Sequence, residues 1–170
     1  MKKRLILLIL CLLPFGLLLA DSAEDAKLAA RLMTKAEKLF KKHLYLEAMD
    51  SATLAYRISP QSVAARTFIY KNWDKTMRYA TELIETHAVV EDLGDARVRC
   101  NTYRLMVDIN DNLQASPLPI RANYDRWVWM PEMQYWDGYL SDEKKRVKRL
   151  EKEEAARKAV LDAEIELDPQ

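Results

Sequence analysis

The residues most able to do chemistry in this 170-residue chain are two histidines, two cysteines and many carboxylates. His43 and His87 lie far apart in sequence, and neither belongs to an HExxH-type pattern that would put two ligands on one helix face. Each is expected at a helix end, exposed. Cys100 has no histidine near it in sequence. Arg97 and Arg99 are close in sequence, but residues so spaced point to different helix faces, so no thiolate activation is implied. No glycine-rich phosphate loop is present, since outside the first 20 residues only Gly94 and Gly138 occur. No carboxylate stands alone in an apolar run that would raise its pKa. These residues predict neither catalysis, nor a metal site, nor a cofactor.

The chain begins MKKRLILLILCLLPFGLLLA. Positive charge, an apolar run and a small residue in that order form a signal peptide, with cleavage expected near Ala20. The run is short for a membrane span, which needs ~20 apolar residues, and Pro14 would kink one. The alternative is an uncleaved N-terminal anchor, the one route by which this chain would meet a membrane. A lipoprotein site is disfavoured because Cys11 follows Leu10 rather than a small residue. Export to the periplasm or the extracellular space is therefore expected.

Losing Lys2, Lys3 and Arg4 reduces the 27 basic residues to 24, against 26 acidic ones. No basic excess remains to draw the chain to nucleic acid. Cys100 would be the one thiol left, so no internal disulfide can form, and burial is its expected state. Few glycines and many charges are a helical composition.

The elements follow from periodicity. Asp21 and Ser22 can cap a first helix, in which Leu28, Leu32, Ala36 and Leu39 recur on one face until about His43. Tyr45 opens a second helix with Ala48, Ala52, Ala55 and Tyr56 inward. Small side chains there let helix axes approach closely. Pro60 ends it, because proline has no amide hydrogen and disfavours helix at the residue before it.

Ala36, Tyr45, Ala48, Ala52, Ala55 and Pro60 together resemble a tetratricopeptide repeat over roughly residues 29–62. That family uses helix pairs of about 34 residues, stacked so that each buries its neighbour's apolar face. The sequence departs from the family pattern at Leu32, Lys35, Ala52 and His43, the last of which stands where the family has Gly. Shifting the pattern by 28 positions brings Trp73, Thr76, Met77, Ala80 and Leu83 into register. This predicts a shortened second copy, with a first helix at Val63–Lys71 and a second at Trp73–Thr86. The resemblance implies an all-α, non-enzymatic scaffold holding a peptide or protein in a concave groove. Arg31, Lys35, Lys38, Lys42, Arg66 and Tyr70 are the groove candidates, and their positive tilt suggests an acidic partner segment.

Asp95 is expected to cap a fifth helix running to about Leu113, with Val98, Thr102, Leu105, Met106 and Ile109 buried. Pro117 and Pro119 then stop helix formation. Residues 115–140 read as a separate segment holding Tyr124, Trp127, Trp129, Tyr135, Trp136 and Tyr139. It is expected to cap the open end of the stack, since terminal repeats need one. Residues 141–170 form a last helix and tail, capped by Ser141, with eight basic and eight acidic residues between Asp142 and Glu166. That helix should project or pack lightly. The organisation is thus a leader at 1–20, a repeat-like body at 21–114, the aromatic segment and the charged helix. Two rival readings remain: a glycan- or cell-wall-binding surface built on Trp127, Trp129 and Trp136, and a coiled-coil assembly factor acting through the last helix.

Overall fold

The computed structural model describes residues 23–89, 91–116 and 134–167, with side chains as far as residue 162. The leader, Trp127 and Trp129 lie outside the described residues. The protein is all-α, with no strand among the described residues. Helix α1 covers 23–41. It is followed by α2 (Tyr45–Ile58), α3 (Val63–Thr86), α4 (Leu93–Gln114) and α5 (Trp136–Leu167).

Helix α1 closes with a left-handed residue. The Leu44 amide donates to the Leu39 carbonyl and the His43 amide to the Phe40 carbonyl, with His43 at φ 63°. These two bonds form a Schellman motif, whose left-handed position favours glycine. His43 therefore holds a left-handed, glycine-like conformation at the end of α1. The buried stripe of α1 is Ala29, Met33 and Ala36, with Phe40 half-buried, while Leu28 is 46% exposed. The inward face is thus turned by one residue from the Leu28–Leu32–Ala36–Leu39 stripe. Both stripes have helical spacing, and Ala29, Met33 and Ala36 are the residues that enter the shared core.

Helix α2 is the centre of the molecule. Leu46, Ala48, Met49, Ala52, Ala55 and Tyr56 are all buried. Both α3 and α4 pack on it. It ends at Ile58, two residues before Pro60, as the proline requires.

Helix α3 corrects the expected second hairpin. It is one continuous helix, with no break between Lys71 and Trp73. Ser62 caps it, its hydroxyl accepting from the Ala65 amide at 3.3 Å. Ala65, Ile69, Trp73, Thr76, Met77 and Ala80 form a single buried stripe across the presumed turn. Asn72 stays helical by donating its side chain to the Phe68 carbonyl at 2.9 Å. Trp73 and Ala80 are buried as the shifted pattern requires, but on the second half of one helix.

Helix α4 starts earlier than Asp95. Asp92 caps it by accepting from the Asp95 amide at 2.8 Å. Its Thr102, Leu105, Met106 and Ile109 are buried as expected, and Val98 is half-buried. Helix α5 also starts early, at Trp136 rather than Ser141, because Trp136 and Leu140 join the core.

Chain direction follows from the contacts. Helix α1 runs parallel to α3, each antiparallel to α2 across a short turn, and α2 runs parallel to α4, with its start near Val98–Leu105 and its Arg57 on Asn112. Helix α5 returns antiparallel along α4 and continues beyond its start. Residues 154–162 of α5 are exposed.

Candidate functional site

The parallel pair α1 and α3 leaves an open groove of about 520 Å³ between them. Phe40 and Phe68 form its floor, their rings meeting edge to face at 5.5 Å. Ala64 and Thr67 extend the floor along α3, and Glu37, Lys41, Lys71 and Asn72 rim it. The floor is the end of an aromatic chain. Phe40 contacts Tyr45 at 4.9 Å, and Tyr45 meets Tyr79 edge-on at 5.2 Å. Lys75 lies over the rings of Phe40 and Tyr45, with Nζ 5.2 and 4.4 Å from their centroids. Such a contact contributes about 0.5–1 kcal/mol at an exposed site and fixes a cation beside the groove. The His43 Nδ1 lies 2.6 Å from the Tyr45 hydroxyl, which braces the same corner.

The expected groove residues do not converge on it. Arg31, Lys35 and Lys38 are exposed on α1, and Lys42 is exposed just past its end. They recur with the same spacing as Ala29, Met33, Ala36 and Phe40 but two positions later. At about 100° per residue this places them on the far side of the helix from its buried stripe. Arg66 is exposed, and Tyr70 is packed against the core. Both lie on the flank of α3 across its buried stripe from Ala64, Phe68 and Lys71. The α1 lining is instead Glu37, Phe40 and Lys41. Sequence reasoning picked basic residues without knowing which flank of each helix stays open. The signal it missed is the pair of half-buried phenylalanines.

Trp136 is 2% exposed and belongs to the core, so it cannot serve an aromatic binding surface.

A second cavity of about 550 Å³ separates the start of α4 from α5. Its walls are charged, and Glu91, Arg149 and Glu153 among them are paired. Arg149 bridges Glu91 and Glu153, the latter at 2.9 Å, while Arg97 reaches Glu151 at 2.9 Å just outside. Behind it is a buried ion pair. Arg99 is 2% exposed, and its Nε donates to Glu143 Oε1 at 3.1 Å. Its Nη1 donates to the His87 carbonyl.

Between α2 and α4, Asn112 is the joint. Its amide donates to Asp50 Oδ1 at 3.2 Å, and its carbonyl accepts from Arg57 at 3.3 Å. Burial first, and Asp108 second, raise the Asp50 pKa above the ordinary carboxylate value. This corrects the expectation that no carboxylate is so perturbed, since the desolvation comes from α4 rather than from sequence neighbours. Asp111 is raised likewise, mainly by burial.

His87 is half-buried rather than exposed, and its Nδ1 lies 2.6 Å from Asp95 Oδ1. His43 is exposed. Among the described residues no cluster of three His, Cys, Asp or Glu side chains could hold a metal. Cys100 is half-buried, and burial pushes its thiol pKa up, the direction that disfavours the thiolate. Among the described residues no helix is long and apolar enough to cross a membrane.

Comparison with known proteins finds no matching family model, no matching curated relative and no matching solved structure.

Proposed function

We propose that the protein is an exported, non-enzymatic helical scaffold that seats a protein or peptide segment in the groove between α1 and α3. The observation that carries this reading is an apolar floor, Phe40 and Phe68, left open to solvent between parallel helices under a rim containing Lys41 and Lys71. Neither histidine nor cysteine lines it. Alternating layers in which α1 and α3 stand in front of α2 and α4 are what the tetratricopeptide resemblance implies. In that arrangement the front layer is the partner-binding one. The leader-like first 20 residues support export.

A photoreactive side chain at position 64, exposed on the groove wall, should trap a discrete adduct in cells that make the protein. A Thr67→Glu/Lys71→Glu variant, altered only at exposed positions, should lose that adduct with its helical circular dichroism unchanged. Equal capture by parent and variant would remove the groove as the seat. Cell fractionation tests export separately, and a cytosolic protein with its leader intact would refute it.

A further inference from the structure

Helix α5 ends in a segment that this groove fits. After Lys158 the sequence carries no basic residue, and Asp162, Glu164, Glu166 and Asp168 follow one another at alternate positions. Apolar residues fill the gaps. Val160 and Leu161 are 59% and 58% exposed, the unburied continuation of a helix whose Leu150 is buried. Ile165 follows Leu161 by four and Leu167 follows Val160 by seven, two apolar pairs at helical anchor spacing with Glu164 between them on the helix.

The groove offers the complement. Its floor is aromatic, and Lys41 and Lys71 on the rim with Lys75 beside it outweigh the one rim carboxylate, Glu37. Its α3 wall from Ala64 to Asn72 is about 12 Å long at ~1.5 Å per residue, close to the ~10 Å of α5 from Val160 to its end at Leu167. The segment cannot reach the groove of its own chain as a helix. Arg99 and Glu143, with Arg97 and Glu151, fix α5 antiparallel along α4. Its end therefore runs out past the start of α4, where α3 finishes, whereas the groove lies along the first half of α3.

We infer that the groove receives residues 160–167 of α5 from a second copy of this chain, a head-to-tail contact. The inference rests on the reading of the groove as a partner seat and names its occupant. Apolar anchors would cover Phe40 and Phe68, and the tail's carboxylates would meet the lysine rim.

Three forms of the chain from Asp21 onward, which holds every described helix, test this by sedimentation. They are the parent, a Lys41→Glu/Lys71→Glu groove form and a Glu164→Lys/Glu166→Lys tail form. The parent should associate as concentration rises. In each variant association should weaken by about tenfold or more, since like charges then face each other. Mixing the two variants should give a two-chain species and nothing larger, because one intact groove meets one intact tail. A chain carrying all four substitutions should regain association through the reversed pairing. A parent that stays monomeric, or a mixture without the paired species, overturns the inference. If the groove form then still loses its cellular adduct, the seat stands and its occupant is an acidic segment of another protein. If that adduct also persists, both readings fall.

Discussion

Replacing Glu143 by Gln should detach the start of α5 from α4. The substitution keeps the shape of the side chain and removes its charge. Arg99, 2% exposed, would then keep only neutral acceptors, the His87 carbonyl and the glutamine amide. At 3.1 Å the gross attraction of the pair is about 5 kcal/mol at an effective dielectric of ~20. Desolvation offsets much of that when the intact pair forms. Deleting one partner leaves the desolvation of Arg99 uncompensated, which costs about 3–5 kcal/mol. Glutamine can still accept one hydrogen bond, so the lower figure of about 3 kcal/mol applies. For a chain of this size that lowers Tm by about 6–12 °C. Thermal and urea unfolding followed by circular dichroism measure it. Two controls sharpen the test. Arg97→Gln breaks the pair with Glu151, whose side chains are 59% and 47% exposed, and should cost no more than ~1 kcal/mol. Arg99→Met with Glu143→Leu removes both charges and should fall within ~1 kcal/mol of the parent or above it. Equal losses from Glu143→Gln and Arg97→Gln would refute the buried pair as the fastening of α5.

Gly138 lies inside α5, and a built Cβ meets nothing within 4 Å, so Gly138→Ala should stabilise by about 0.5–1 kcal/mol in urea unfolding. His43→Gly relieves a side chain held at φ 63° and should be neutral to stabilising by up to ~1 kcal/mol, despite losing the contact with the Tyr45 hydroxyl. The Asp50 pKa is raised in the folded state, so the native protein binds the extra proton and this group lowers stability as pH rises from the usual 3.8 through the raised value. Asp50→Asn should therefore unfold no more easily than the parent at neutral pH, with its relative advantage fading below that window, as paired melting curves would show.

Helix content was legible because its cause is local. The alanines of α2 and the stop at Pro60 are where the periodicity puts them, and Ser62 and Asp92 supply side-chain caps for α3 and α4. Boundaries failed where burial overrode local preference. Trp136 and Leu140 draw α5 five residues earlier than Ser141, even through Gly138. The break expected between Lys71 and Trp73 rested on aligning residue types, and no proline or glycine stands there to make one.

By itself the sequence determined an all-α chain, an alanine-faced α2 that lets neighbours approach, a leader-like start and a charged last helix. Each follows from propensity, spacing or composition. Only the tertiary structure decided which flank of each helix stays open. One helix carries two apolar stripes about 100° apart, and packing into the shared core selects Ala29, Met33 and Ala36. That choice brings Phe40 and Phe68 edge to face on the floor of the groove and turns Arg31, Lys35, Lys38 and Lys42 outward. The burial of Arg99 with Glu143 is likewise invisible in sequence, because their 44-residue separation is closed only when α5 folds back on α4.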